Sequence, residues 1–350
     1  MLKGRVTGAL VSVALILGAL ATPATAQDEP RMKVNFISSL YQSIIYYNII
    51  AAQELGYFEK EGVEVNMMSS SASIPFVAFI ANGQADITKL DSTEVINAAA
   101  ANIPVSVIFE MMQIGVDSIA VAEDSPITDI TQLKGKTIGL TTDRDRPTLA
   151  KKLHRVGLTL DDVKTAVLGE SGPTLANAFR NKTVDAVEGA PTDWLNIQAN
   201  GIKVRLVSPP DLNPGNLFVI NKDRTEEIRE PITAFLRAWV KGAIAIHVDK
   251  EAVIAMLKKA VPDEWEREEF ARQYLETAIQ VHTPVTERYG DLRPEIWTTL
   301  QDEAVAVGEI TEKVDPATFL DDSFIAAVNE GIDRDQIKAD IEEWKKNNGM

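Results

Sequence analysis

The side chains best suited to acid–base or metal chemistry at neutral pH are three histidines, His154, His247 and His282. They lie far apart in helical or post-helical contexts, so each is expected to have a structural or surface role. The sequence has no cysteine, and it contains no G-x-S-x-G elbow, Walker loop or G-x-G-x-x-G fingerprint. This pattern predicts that the chain is not an enzyme and that it holds neither a cofactor nor a metal ion.

Small polar residues follow the predicted strands, and they suit a binding site better than a catalytic one. In open α/β sheets, ligands bind beyond the carboxyl ends of strands, where helix N-termini offer unpaired N–H groups. The segments of this kind are 38–43, 69–73, 89–93, 141–146, 169–174 and 188–192. The candidate ligand-binding residues are Ser39, Tyr41, Gln42, Ser71, Asp91, Ser92, Thr93, Thr141, Thr142, Arg144, Ser171 and Glu188.

Two of these candidates have a second interpretation. Tyr41 could stack on a ligand ring, or it could pack in the core. Arg144 precedes a predicted helix and could bind an anionic group together with the two threonine hydroxyls before it. It could equally form a salt bridge with Asp143 or Asp145.

Alternating strands and helices must position these segments. Residues 33–37, 44–55 and 63–67 have the pattern of a βαβ unit, whose two strands are parallel. Asp91 and Glu94 have capping-box spacing and begin a further helix. The other predicted strands are 85–87, 105–109, 118–121, 137–140, 163–167, 184–187, 204–207 and 217–220, and the chain beyond residue 226 has a helical pattern. The pattern is typical of an α/β protein.

An internal repeat relates two parts of this pattern. NGQADI at 82–87 resembles NKTVDA at 181–186, and about one helix later ANIPV at 101–105 resembles ANGIKV at 199–204. Two α/β units can share such turns by coincidence, or the repeat can mark two similar lobes. In the second case Glu188 aligns with Lys89, the loops of the two residues face each other across a cleft, and Glu188 contacts a ligand amine or hydroxyl.

Length, charge and the N-terminus restrict the class of protein. A chain of 350 residues suggests two domains, and a net charge of −16 lacks the basic patch of a nucleic-acid site. A basic start, an apolar run at 9–21 and A-T-A at 24–26 predict a signal peptide over residues 1–26, with a membrane anchor as the alternative. No later stretch is apolar for about 20 residues, so we expect a soluble, exported monomer.

Several segments together have the pattern of a known family. GYFEKEGVEV at 56–65, NGQADI at 82–87 and NIPV at 102–105 resemble the NMT1/THI5-like substrate-binding proteins of ABC transporters. LKGKTIG at 133–139 and VDA at 184–186 are similar to the second lobe of that group. The group includes receptors for sulfonates, taurine, nitrate and thiamine-precursor pyrimidines.

The resemblance implies a periplasmic binding protein type 2 fold, with two α/β lobes, a hinge and extra C-terminal helices. Lobe 1 would comprise residues 27–112 and 218–350, and lobe 2 residues 113–217. The hinge segments would lie near 110–115 and 213–217. Closure would trap a small-molecule ligand and present it to an inner-membrane ABC permease.

Two departures from the family pattern bear on the ligand. Sulfonate receptors of the group carry a Gly-Ser pair where this chain has Thr141-Thr142, and the neighbouring Asp143 and Asp145 weaken a simple oxyanion site. The absence of cysteine departs from the pyrimidine-synthesis enzymes of the group. We therefore expect a periplasmic receptor of an ABC importer, with a pyrimidine-like heteroaromatic or a sulfonate-type anion as its ligand. The alternatives are an enzyme on the same fold and a receptor that signals to a membrane sensor.

Overall fold

The computed structural model describes residue 1 and residues 31–38, 42–69, 75–115, 117–143, 145–169, 171–208 and 213–350. The predicted signal peptide at 1–26 lies outside the described residues, apart from Met1. Within the described ranges, no helix is both long enough and apolar enough to cross a membrane.

Strands and helices alternate as far as residue 221, and helices dominate the chain beyond it. The strands are β1 (Met32–Ser38), β2 (Val63–Ser69), β3 (Ile87–Asp91), β4 (Val105–Glu110), β5 (Ser118–Ala122), β6 (Thr137–Leu140), β7 (Lys164–Val167), β8 (Ala186–Gly189), β9 (Val204–Leu206) and β10 (Asn216–Asn221). The helices are α1 (Tyr47–Glu54), α2 (Tyr57–Lys60), α3 (Phe76–Ala81), α4 (Ser92–Ala100), α5 (Asp145–Arg155), α6 (Gly172–Arg180), α7 (Pro191–Ala199), α8 (Thr225–Val248), α9 (Lys250–Ala260), α10 (Glu268–His282), α11 (Pro294–Ala306), α12 (Ile325–Asn329) and α13 (Arg334–Asn347).

The strands form two sheets with the same layout. The first sheet has the order β2-β1-β3-β10-β4, and the second has the order β7-β6-β8-β5-β9. In each sheet three parallel strands are followed by an antiparallel strand, β10 in the first and β5 in the second. The pairing of β1 with β2 confirms the predicted parallel βαβ unit, and the two mixed sheets confirm the predicted α/β class.

The repeated segment has the same local structure in both sheets. Asp86 Oδ2 accepts a hydrogen bond from Asn35 N at 2.9 Å, and Asp185 Oδ2 accepts one from Thr137 N at 2.8 Å. Asp86 thus bonds to the middle of β1 and Asp185 to the first residue of β6, and β3 and β8 begin directly after the two aspartates, later than predicted. This shift places Glu188 inside β8, and the prediction that it lies in a loop is wrong.

The largest core lies between the first sheet and the C-terminal helices. Phe109, Phe218 and Phe235 pack around Trp239 and Phe36 with ring-centre distances of 5.3–6.0 Å, and all five side chains are buried. Because α8 supplies two of these rings, it fixes the first sheet against the helical layer. The C-terminal helix α8 therefore packs on the first sheet.

His282 belongs to this core. Its Nδ1 lies 2.9 Å from Ala278 O, an arrangement in which Nδ1–H donates, and its ring makes edge contacts with Tyr47 and tilted contacts with Trp239. Burial lowers the pKa of His282 to about 4 from an ordinary value of 6.5. The unfolded chain therefore binds a proton more readily than the folded chain between these pH values.

His282 should make the protein less stable in acid. The stability that the neutral ring contributes is present above pH 6.5 and is lost as pH falls towards 4, by about 3 kcal/mol in total. The variant His282→Gln cannot gain this proton, so its free energy of unfolding should fall less between pH 7 and pH 4.5. Urea titrations at the two pH values measure the difference, and equal losses in the wild-type chain and the variant would contradict the assignment.

Candidate functional site

The carboxyl ends of the parallel strands lead almost directly into helices. α4 begins at Ser92 immediately after β3, α5 begins at Asp145 shortly after β6, and α7 begins at Pro191 just after β8. Each helix N-terminus directs backbone N–H groups towards this edge of its sheet. These junctions form the candidate ligand site.

The junction between β3 and α4 is rigid. Asp91 Oδ1 accepts a hydrogen bond from Glu94 N at 2.7 Å, and Asp91 N donates to Glu94 Oε2 at 3.1 Å, so the predicted capping box is confirmed. Thr93 lines a cavity of about 70 Å³ together with Asp117 and Lys151. Because Lys151 comes from α5, this cavity joins segments of the two sheets.

At the junction between β6 and α5, the threonine donors already have an anionic partner. Thr141 Oγ1 donates to Asp145 Oδ2 at 2.7 Å, and Thr142 N donates to the same oxygen at 2.8 Å. Thr142 Oγ1 donates to Asp145 Oδ1 at 3.2 Å. The carboxylate of Asp145 therefore occupies the place that an oxyanion would need. Asp143 pairs instead with Arg146 at 2.7 Å.

Glu188 and Lys152 form a buried pair behind this junction. Lys152 Nζ lies 2.6 Å from Glu188 Oε1, and the two side chains are 3% and 1% exposed. Burial raises the pKa of Glu188, and the ammonium of Lys152 opposes that rise. Glu188 Oε2 is also buried and has no hydrogen-bond partner among the described residues. A carboxylate oxygen in this state can accept a hydrogen bond from a donor that enters the site.

Comparison with known families assigns the chain. The family described as NMT1/THI5 like matches residues 45–252, which is more than half of the sequence. The chain belongs to the NMT1/THI5-like family. The predicted resemblance is thus confirmed.

The proteins that this NMT1/THI5-like chain resembles carry the names of enzymes as well as of a binding protein. A 4-amino-5-hydroxymethyl-2-methylpyrimidine phosphate synthase from Uromyces fabae is 25% identical over 246 residues, which are 66% of this chain and 71% of the relative. Relatives of the same name from Aspergillus parasiticus and Schizosaccharomyces pombe are matched over 44% and 43% of their length, so the chain spans less than half of each. A formylaminopyrimidine-binding protein from Halalkalibacterium halodurans is 21% identical, with 67% of this chain and 72% of the relative covered.

These names correct one prediction of the sequence analysis. The absence of cysteine, of nucleophile motifs and of clustered histidines predicted that the chain is not an enzyme. Three relatives that carry an enzyme's name overturn that prediction. Its physical weakness is that side chains from distant segments can meet in the fold and act without any short motif.

Solved structures show the fold of this family member. The periplasmic aliphatic sulphonate binding protein of Escherichia coli superposes with a TM-score of 0.63 at 18% identity, covering 83% of this chain and 91% of that one. A Candida albicans protein described as having the generic periplasmic binding protein fold gives a TM-score of 0.60 at 14% identity, with 84% and 97% covered. The NMT1/THI5-like chain therefore has the periplasmic binding protein fold, as predicted.

The structure distributes the candidate ligand residues of this family member over several places. Asp91, Ser92 and Thr93 lie together at the N-terminus of α4, while Thr141 and Thr142 lie together around Asp145. The remaining described candidates are the buried Glu188 and two exposed residues, Gln42 and Ser171. Ser39, Tyr41, Ser71 and Arg144 lie outside the described residues.

Sequence reasoning missed the residues of α5 that complete this site. Lys151 and Lys152 are buried lysines, at 6% and 3% exposure, and neither was among the candidate residues. The lysines lie in a strongly charged helix, which is usually a solvent-exposed pattern. A pair of lysines in α5, about two turns after the helix begins at Asp145, was the available signal.

Proposed function

We propose that the protein is a periplasmic receptor that binds a small heteroaromatic ligand of the aminopyrimidine type at the cleft-facing ends of its two sheets. The observation that carries the proposal is the Asp145 carboxylate, which takes up the hydroxyl and N–H donors of Thr141 and Thr142. An anion at this junction would have to displace Asp145 and would meet its charge. A ligand with N–H donors meets no such repulsion.

The state of Glu188 supports the same class of ligand. Its Oε2 atom is a buried oxygen without a partner in the described part of the chain, and the ammonium group of Lys152 beside Oε1 favours the charged form that accepts hydrogen bonds. An exocyclic amino group would supply the missing donor, and ring nitrogens would accept from nearby ammonium groups. The pyrimidine names of the relatives agree with this chemistry, whereas the sulfonate receptors support only the fold.

The proposed receptor has two lobes, with residues 27–112 and 218–350 in one and 113–217 in the other. The chain leaves the first sheet after β4 and returns to it before β10. These two crossings lie side by side, since Met112 N donates to Asn216 O at 2.9 Å and Gly215 N donates to Met112 O at 2.8 Å. Bending at this pair of segments would close the lobes on a ligand. The closed, monomeric receptor would then deliver the ligand to an ABC permease.

A thermal-shift screen tests the ligand class. The probes are 4-amino-5-hydroxymethyl-2-methylpyrimidine, taurine and nitrate, each added to the purified chain lacking residues 1–26. A ligand at 100 times its Kd should stabilise the protein by about 2.7 kcal/mol. We expect a shift with the pyrimidine alone. A shift with taurine or nitrate and none with the pyrimidine would overturn the proposal.

The variant Asp145→Ala should gain affinity for sulfonates. It frees the two threonine hydroxyls and the Thr142 N–H, and one hydrogen bond to a charged group contributes about 1.5–3 kcal/mol, so taurine binding should strengthen at least tenfold. Asp143→Ala is the matched control, because that exposed carboxylate pairs only with Arg146 among the contacts described here. Calorimetric titration measures both variants, and unchanged taurine binding in Asp145→Ala would contradict the role of Asp145.

A second candidate function is pyrimidine phosphate synthesis on the same fold. The observation that favours it is the shared name of the three relatives from fungi. Mass spectrometry after incubation with a small-molecule cell extract would detect a pyrimidine phosphate formed by the native protein but not by the heat-denatured protein. Product formation would replace the receptor proposal, and tight pyrimidine binding without product would favour the receptor.

A further inference from the structure

We propose that Lys151 and Arg155 of α5 form an ionic latch that holds the cleft closed. The latch joins α5, which belongs to the second sheet, to acidic and hydroxyl groups on segments of the first sheet. This inference rests on the two-lobed receptor proposed above. Lys151 and Arg155 would position the two lobes relative to each other, and they would not need to touch the ligand to do so.

Lys151 is the inner part of the latch. Its Nζ donates to Thr93 Oγ1 at 2.6 Å and lies 3.1 Å from Glu309 Oε2. The side chains of Lys151 and Glu309 are 7% and 8% exposed, so the contact is largely withdrawn from water. Asn97 of α4 donates to Glu309 Oε1 at 3.0 Å, which holds the carboxylate in position.

Arg155 is the outer part of the latch, one helical turn further along α5. Its Nε and Nη2 atoms donate to the two carboxylate oxygens of Glu303 at 2.6 and 2.7 Å. A bidentate pair of this kind fixes both distance and orientation. Glu303 lies on α11, which packs with strands of the first sheet. The contacts of Lys151 and Arg155 therefore hold α5 against segments of the first sheet.

The helices that these polar contacts connect, α5 and α11, belong to two different hydrophobic cores. Leu149 and Leu153 of α5 pack with Ile138 of β6 in the second sheet. α11 packs through Trp297 and Leu300 with residues of β4, β10 and α4 in the first sheet. The polar contacts of Lys151 and Arg155 therefore bridge two separately packed units.

The energetics favour a role in closure. Burying an ion pair costs desolvation that its attraction only partly offsets, but a buried carboxylate that loses its counter-charge is strongly unfavourable. If Lys151 is removed, Glu309 remains buried in the closed form and can regain water only by opening. The closed population falls, and the apparent ligand affinity falls with it. Elsewhere, Leu195 of α7 packs into the hydrophobic core that contains α10. This apolar contact would still stabilise the closed form when the ion pair of Lys151 is lost.

Distances between spin labels test the latch without any ligand. The natural chain has no cysteine, so His154→Cys on α5 and Thr299→Cys on α11, both at exposed positions, give one label on each side. We expect a short distance in the parent chain and a longer, broader distribution in Lys151→Met. The charge swap Lys151→Glu with Glu309→Lys should restore the short distance, while Lys151→Glu alone should not.

The controls separate the latch from general stability and from the receptor proposal. Lys313→Met removes an exposed ion pair with Asp302 on the first-sheet side alone, and it should leave the distance unchanged. If Lys151→Met does not fold, Glu309→Gln provides the same comparison. Identical distributions in the parent chain and the latch variants would overturn the latch even if a pyrimidine binds. A longer distance between the labels in Lys151→Met would support the latch even if no screened ligand binds. Where a ligand does bind, we expect Lys151→Met to lower its affinity roughly 10- to 100-fold.

Discussion

The Glu188→Met variant should lower the free energy of unfolding by about 3–5 kcal/mol, because removing one partner of a buried ion pair leaves the other uncompensated. Lys152 is 3% exposed, and its Nζ lies 2.6 Å from Glu188 Oε1. Methionine has a similar volume but offers no acceptor for the ammonium group. Urea unfolding followed by circular dichroism measures the loss.

The double variant Lys152→Met with Glu188→Met is the matched control. It replaces both charges with apolar side chains, and such replacements of buried pairs are often neutral or stabilising. The double variant should therefore recover most of the lost stability while losing the acceptor that we propose for the ligand. If the double variant is as unstable as Glu188→Met, loss of the charge pair is not the reason for the lower free energy of unfolding.

The Gly242→Ala variant should destabilise the protein by about 3 kcal/mol through overpacking. α8 crosses α1 so closely that a Cβ at Gly242 would lie 2.0 Å from Asn48 O and 3.0 Å from Ala52 N. Both neighbours are backbone atoms, so α1 and α8 would have to move apart. The gain in helix propensity from glycine to alanine, about 1 kcal/mol, cannot offset that separation.

Glu230→Ala on the exposed face of the same helix is the control. It also introduces alanine into α8, but at a solvent-exposed position, so its effect should lie within about 0.5 kcal/mol. Urea unfolding of the two variants gives the comparison. A Gly242→Ala variant as stable as Glu230→Ala would mean that the α1–α8 contact can relax without loss.

Much of the fold could be predicted because its signals are local. The parallel pairing of β1 and β2 follows from the strand-helix-strand pattern at 33–67, and the capping box at Asp91 follows from residue types three apart. The repeat at 82–87 and 181–186 could be detected because Asp86 and Asp185 each accept a backbone hydrogen bond from the neighbouring strand in two sheets of the same layout. The resemblance to the family was also detected in short segments, such as 56–65 and 82–87.

The site could be predicted only in part. The sequence located the strand ends, since turn and cap residues mark them, and it selected the threonines of the β6–α5 junction. It could not show that Asp145 turns back onto those threonines, because a carboxylate near a threonine has the same pattern whether it accepts from the hydroxyl or faces solvent. For the same reason, the absence of short catalytic motifs did not exclude an enzyme.

The sequence by itself therefore determined the α/β class, the strand ends that carry the site, and the family. Each of these depends on neighbours within a few residues, where spacing fixes geometry. Only the tertiary structure decided that Glu188 is buried in β8 against Lys152, that Asp145 accepts hydrogen bonds from Thr141 and Thr142, and that Lys151 meets Thr93 and Glu309. Those contacts join residues between 3 and 158 positions apart, and their energies depend on burial, which spacing along the chain does not reveal.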